Sequence, residues 1–321
     1  MRPSNRGVLF AERTLPCSTR ASPLCWRGYE RGCFSLPIFA IHNEPTFLGL
    51  GIEVLRGKEN MLGVVVSVSV VVVLVLLFFW ARSARTAHDL LVSAPRTLLV
   101  TAHPDDECMF FAPTVLELLR RRCSLFLLCL STGNYRNEAE VRKKELLTSC
   151  HVLGVSPSNI TIIDHRDLPD DPSVSWKVQL VTDLILSHVK EHRIDLMLSF
   201  DQRGVSGHAN HVAIYQAFRY IYTHKLTPTG CRMLCLHSVT LLRKYSSLLE
   251  LPLALFQPHV LLCLARCSQY RRALRAMVCH RSQMLWFRWL YLLFSRYMFV
   301  NTFWDISKTE LEPAGATLHS R

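Results

Sequence analysis

Acidic side chains are the scarce class in this 321-residue sequence: 25 Asp and Glu stand against 37 Lys and Arg, a formal net charge of +12. Glycine is sparse too, at 13 residues, which excludes a collagen-like repeat with glycine at every third position. Half of the residues are hydrophobic, so the chain is not a disordered one. No RNA- or DNA-binding motif accompanies the basic balance, and no nucleic-acid partner is expected. Cysteine is present at 12 positions, but a chain of this length buries a core without disulfide staples, which argues against a small secreted fold.

What stands out first is one uncharged run, MLGVVVSVSVVVVLVLLFFW, over residues 61–80. At about 1.5 Å per residue these 20 residues cover a bilayer core of about 30 Å, and a transmembrane helix is expected there. A cleavable signal peptide has a shorter apolar core nearer the N-terminus and a small-residue cleavage site. Residues 1–60, with scattered Arg, Pro and Cys and no clear period, are expected to be a disordered extension without a role in the chemistry. Arg56 and Lys58 before the run nearly balance Arg82 and Arg85 after it. With a start at Met61, only Arg82 and Arg85 would remain, and the positive-inside rule would put the C-terminal domain in the cytosol. There the nine cysteines beyond the run would stay reduced. Cys231/Cys235 and Cys263/Cys267 have C-x-x-x-C spacing but sit in apolar runs, so buried thiols are expected rather than half of a zinc site.

Beyond residue 95, apolar runs of strand length alternate with helical periodicity: residues 97–101, 125–130, 160–163 and 196–200 as strands, with 113–122, 138–153 and 176–192 as helices. The pattern predicts an α/β fold, a Rossmann-like three-layer sandwich with a mostly parallel sheet over 95–245. Residues 246–304 are expected to be helical and in part membrane-interfacial, and 305–321 a polar tail. The segment LWFRWLYLLFSRYMF, residues 285–299, interleaves arginine with aromatics in the manner of a headgroup boundary. Its alternative is a helix that closes the domain.

In such sheets ligands bind beyond the carboxyl ends of the strands. After the first strand comes AHPDDE, residues 102–107, rather than the G-x-G-x-x-G of a dinucleotide site. His103, Asp105, Asp106 and Glu107 suit a divalent metal, although Asp105 or Asp106 could equally cap the following helix. A second cluster, DQRGVSGHANH at 201–211, follows a later strand and sets His208 and His211 three apart behind a flexible turn. Two such clusters at the ends of one parallel sheet can converge on one site.

These two motifs, together with LSTGNYRNEAEVRKKELL (130–147), DHRDLPDDP (164–172) and CHRSQMLWFRWLY (279–291), resemble the LmbE-like (PIG-L) zinc deacetylases over roughly residues 61–300. The resemblance implies Zn2+ held by His103, Asp106 and His211, Asp105 as general base, and His208 as acid or oxyanion stabiliser. It also implies that Arg142 and Asn210 contact substrate, while an exposed pair on a helix remains the alternative for Arg142 and Glu145. Ala139 departs from the family pattern, which commonly has glycine there. The implied activity is hydrolysis of the N-acetyl group of N-acetylglucosaminyl-phosphatidylinositol, a step of GPI-anchor biosynthesis in the endoplasmic reticulum membrane. The bilayer and this glycolipid are then the expected partners. Another N-acetylglucosamine conjugate as substrate, or a non-catalytic binding protein of the same fold, are the alternatives.

Overall fold

The structure, a computed structural model, describes residues 47–171 and 173–307, with side chains from Met61 onward. The expectation for residues 1–46 and for most of the polar tail lies outside the described residues. Helix α1 (Phe47–Val92) extends past the apolar run on both sides, so residues 47–60 are helical, contrary to the disorder expected of them. From Met61 to Val75 its side chains are exposed to the last, although nearly all are apolar, and the segment Met61–Val92 is long and apolar enough to cross a membrane. The stretch after Trp80, polar in composition, continues the helix because Ala87, Leu90 and Leu91 recur at helical spacing and enter the core.

A seven-stranded sheet forms the body: β1 (Arg96–Thr101), β2 (Ser124–Cys129), β3 (Ile160–Ile162), β4 (Leu196–Phe200), β5 (Arg232–Leu236), β6 (Leu261–Leu264) and β7 (Val300–Asp305). The spatial order is β3-β2-β1-β4-β5-β7-β6. Strands β1 to β5 are parallel, and β7 runs antiparallel to both β5 and β6. Strands β1, β2 and β4 are apolar and buried almost throughout because helices cover both faces. On one side lie α3 (Ala112–Arg120), α4 (Ala139–Leu153) and α10 (Cys267–Cys279); on the other, α5 (Val178–His192) and α7 (Ala209–Thr223). Short helices α2 (Asp106–Met109) and α6 (Gly204–Gly207) follow β1 and β4, while α8 (Leu241–Lys244), α9 (Leu251–Phe256) and α11 (Trp286–Phe294) belong to the C-terminal third.

The Rossmann-like three-layer expectation holds, but the sheet does not end at residue 245. Strands β6 and β7 complete its edge from the region expected to be helical, 246–304. β6 is a four-residue apolar run inside a longer apolar stretch, where period gives no strand signal. The boundary of the tail shifts as well. Asp305 belongs to β7, its carboxylate 2.9 Å from Arg232 Nη2, and Ile306 is buried. A chain ending at Trp304 is therefore expected to lose about 2–4 kcal/mol relative to one ending at Ser307. Thermal unfolding of the two truncations measures the difference.

Chain order fixes where a site can form. From β1 the chain steps outward to β2 and β3, then returns to the opposite side of β1 as β4. The crevice beyond the carboxyl ends of β1 and β4 is the topological switch point of the sheet, and it is where both sequence clusters emerge.

Candidate active site

His103, Asp105 and Asp106 leave β1 in a tight turn. Asp106 begins α2, and its Oδ2 accepts the backbone N–H groups of Ala102 and His103, each at 2.9 Å. Asp105 takes the N-cap position without making a side-chain cap bond. Its φ of 127° lies where L-residues seldom go, a strain of about 1–3 kcal/mol that survives only where the surroundings over-determine it. Glu107 Oε2 accepts the Asp105 N–H at 3.1 Å, while its Oε1 takes Ser149 Oγ at 2.6 Å and His280 Nε2 at 2.8 Å. This buried tripod anchors the turn.

The second cluster is built with equal care. Asp201 accepts the Arg203 N–H and both the N–H and the hydroxyl of Ser238, and that hydroxyl in turn accepts the N–H of Val205 at 2.8 Å. The turn so fixed carries Gly204 at φ +51°, where a Cβ would sit 2.8 Å from the Cβ of His211. His211 Nδ1 donates to the Gly204 carbonyl at 3.0 Å, which leaves the Nε2 lone pair free. That atom is buried without a hydrogen-bond partner and lies 3.3 Å from Asp106 Oδ1. The His211 ring is fixed by stacking on Phe200, centroids 3.8 Å apart.

His103 is held from its far side. Its Nε2 is 3.0 Å from Asp170 Oδ1 and 3.0 Å from the Asn210 amide nitrogen, so its Nδ1 faces Asp106 Oδ2 at 3.8 Å. A carboxylate behind a ligating histidine is the usual means of fixing its tautomer. Ring nitrogens of His103, His208 and His211 lie within 4.8 Å of one another. Asp106, outside that trio of rings, sets its two oxygens 3.8 Å from His103 Nδ1 and 3.3 Å from His211 Nε2, so two imidazole nitrogens and a carboxylate also face one another. The orphaned His211 Nε2 is what a divalent cation would satisfy, so the residues present fit one.

Electrostatics separate the two neighbouring aspartates. Burial pushes both up, but in the protein without a bound cation protonated His211 and His103, with the backbone donors, leave Asp106 far below the carboxylate range. Burial dominates at Asp105 and keeps it raised against Arg142 and Arg288, whose guanidinium nitrogens stand 3.6 and 3.5 Å from its oxygens. His208 is pulled down to about 4, first by burial and then by the two other imidazoles. Its Nδ1 accepts the Asn210 N–H at 3.4 Å, the N-cap of α7, so the neutral ring carries its proton on Nε2.

Arg142 faces the same cavity, and its Nη donors are used within the protein, Nη1 to Gly133 O and Asp170 and Nη2 to Pro104 O at 2.7 Å, while its Nε is buried without a partner. Asn210 is fully buried, its amide against His103 and Pro169. Both support the other site residues from behind. Glu145 is not an exposed helix partner of Arg142; its carboxylate accepts the N–H and hydroxyl of Ser282. Glu107, expected among the metal-suited carboxylates, instead accepts bonds from the Asp105 N–H, Ser149 and His280, and sequence reading gave no role to Asp170 or His280. The signal for Asp170 was there, since an acidic cluster at 164–171 follows the third predicted strand. Of the C-x-x-x-C cysteines, Cys235 and Cys263 are buried, Cys231 half-buried and Cys267 exposed, all as free thiols.

The whole arrangement opens into a cavity of about 910 Å³. Fold and donor set together fit a metal-binding site at the sheet's switch point. The sequence matches the family described as GlcNAc-PI de-N-acetylase, PIG-L, over residues 98–222. It is 54% identical over 224 residues to N-acetylglucosaminyl-phosphatidylinositol de-N-acetylase of Bos taurus, covering 70% of this chain and 88% of that one. It is 30% identical over 244 residues to a probable enzyme of the same name from Dictyostelium discoideum, covering 66% and 93%. Among solved structures, N,N'-diacetylchitobiose deacetylase from Pyrococcus horikoshii shares the fold, with a TM-score of 0.50 at 17% identity over 70% of this chain and 88% of that one. The chain belongs to the PIG-L family of de-N-acetylases.

Proposed function

We propose that this protein hydrolyses the N-acetyl group of N-acetylglucosaminyl-phosphatidylinositol, yielding acetate and glucosaminyl-phosphatidylinositol. The observation that carries the reading is the meeting of His103, Asp106 and the orphaned His211 Nε2 beside a raised Asp105, in a chain 54% identical to an enzyme of that name. Zn2+ held by His103, Asp106 and His211 would polarise the acetamide carbonyl and lower the pKa of water to about 7.

The chain's own residues divide the remaining work. Asp105, made more basic by burial, takes a proton from the attacking water, and a base with its pKa moved toward neutrality suits that task. Arg142 and Arg288 hold its two oxygens in place and offset part of the burial that raises it. The Nε2–H of His208 donates to the carbonyl oxygen as negative charge develops there. Asp105 then returns its proton to the glucosamine nitrogen as the C–N bond breaks, so one carboxylate serves as base and then as acid. Asp170 holds His103, and Arg142 holds Asp105 and Asp170.

A lipid substrate fits the outer parts of the molecule. Leu76 and Phe79 of α1 pack on the cluster around Ala254, Leu255 and Leu262, and the Phe79 ring meets Phe256 at 4.9 Å. Nearby, α8 and the turn after it expose Leu242 (84%) and Leu249 (83%), and α11 exposes Trp286 (77%). Large apolar groups in this number suit a membrane interface rather than water. We place the protein in the endoplasmic reticulum membrane as a single-pass protein with its catalytic body in the cytosol.

The test is acetate release from N-acetylglucosaminyl-phosphatidylinositol compared with release from water-soluble N-acetylglucosamine conjugates. Preference for the lipid supports the reading; equal or greater release from the soluble conjugates contradicts it. Gly204→Ala, whose Cβ would press on His211, is expected to weaken metal affinity about 10–100-fold. Metal titration of the apo-protein measures that loss.

A further inference from the structure

Lys244 ends α8 and lines the same cavity as His103 and Asp106. It is only 8% exposed, yet among the described residues no carboxylate pairs with its ammonium group. What lies near is the ring of Tyr245, 5.7 Å from Nζ, and a second cation, Arg288. Burial and that guanidinium together pull Lys244 below the ordinary lysine value. Among the described residues the buried arginines are neutralised: Arg142 by Asp105 and Asp170, Arg296 by Glu250. A largely buried lysine that lines a cavity without a carboxylate partner is costly and is kept where an anion arrives to offset it.

The surroundings narrow the anion. The cavity wall that carries Lys244 and Arg288 continues into Trp286, Phe287, Leu290 and Phe294, all largely exposed or half-exposed and apolar. A receptor for free inorganic phosphate has no use for such a border, whereas the headgroup of a phospholipid presents phosphate and acyl chains side by side. We infer that Lys244, with Arg288 behind it, forms a phosphodiester subsite that engages the phosphate of a glycolipid headgroup while the sugar lies at the hydrolytic end. This assignment rests on the reading of a lipid-linked substrate and adds to it the group that recognises the linkage. Arg288 serves both ends, holding Asp105 through one nitrogen and adding positive field beside Lys244.

Binding tests the subsite independently of turnover. The full-length protein in detergent is titrated with dioctanoyl phosphatidylinositol, with dioctanoylglycerol, which lacks the phosphate, and with inorganic phosphate. Lys244→Gln is expected to bind the phospholipid at least tenfold more weakly, in line with loss of a charge-assisted hydrogen bond, with no comparable change for dioctanoylglycerol. Lys244→Arg restores most of the affinity, and Lys244→Gln unfolds no earlier than the parent, since it removes an unpaired buried charge. Unchanged phospholipid binding in Lys244→Gln, or equal loss for both lipids, overturns the subsite. Inorganic phosphate bound as tightly as the phospholipid overturns the headgroup assignment. Absence of acetate release by the parent protein would instead refute the de-N-acetylase reading, and the binding comparison would still decide the subsite.

Discussion

Asp105→Asn is expected to lower kcat by about 10²–10⁴-fold, the range contributed by a positioned general acid–base group, while the protein stays folded and keeps its metal. The reason is local. Asp105 lies between Arg142 and Arg288 and makes no side-chain cap bond to α2, so the amide removes a proton acceptor and little structure. A second substitution separates chemistry from folding. Asp105→Gly, which like Asp105→Asn gives up the carboxylate facing Arg142 and Arg288, also relieves a φ of 127° that glycine adopts freely, and is expected to be about 1 kcal/mol more stable than Asp105→Asn while abolishing activity. Steady-state kinetics and thermal unfolding on the same two preparations check both halves; an Asp105→Gly protein less stable than Asp105→Asn would show that the strain is not released there.

His280→Ala is expected to destabilise the fold by about 3–5 kcal/mol, the cost of leaving a buried charge without its partner. His280 and Glu107 are fully buried and 2.8 Å apart. Burial pulls His280 down, but Glu107 outweighs it and leaves the imidazole above its ordinary value. Burial likewise pushes Glu107 up, and His280 and Ser149 bring it below its own. The signs set a pH window. The raised histidine contributes stability that is present below about pH 6.5 and is lost as pH rises through its folded value; the lowered glutamate contributes stability that is present above about pH 4.5 and is lost as pH falls. Unfolding free energy against pH should therefore decline on the alkaline side in the parent, and that part of the decline should be missing in His280→Ala. Because Glu107 also holds the N–H of Asp105, the substitution should reach the active site as well.

The central parallel strands were legible because each is an apolar run of strand length bounded by polar turns, and Leu196–Phe200 matches its predicted limits. The convergence of His103, Asp106 and His211 was legible for a related reason. Residues that follow strands of one parallel sheet share an edge, and the switch point between β1 and β4 brings these two loops together. What escaped depends on long-range placement. Strand β7 is assembled from residues 300–305 and pairs with β5, whose partner residues lie 67 to 71 positions earlier in the chain, which no local period announces. Arg142 and Asn210 carry suitable donors in sequence, but only the folded arrangement reveals that Gly133, Pro104, Pro169 and His103 already engage them. Lys244 looks like any surface lysine until its burial beside Arg288 is seen. The strain at Asp105 is a backbone property imposed by Glu107 and the α2 turn, and aspartate at that position reads equally as an ordinary helix cap.

The most direct measurement is acetate release from N-acetylglucosaminyl-phosphatidylinositol by the full-length protein before chelation, after removal of metal, and after Zn2+ is restored, with Asp105→Asn carried in parallel. The account predicts release that disappears with the metal, returns with Zn2+, and stays at least a hundredfold lower in Asp105→Asn although that variant binds metal normally. Release that persists in metal-free protein, or an Asp105→Asn enzyme as active as the parent, would contradict it.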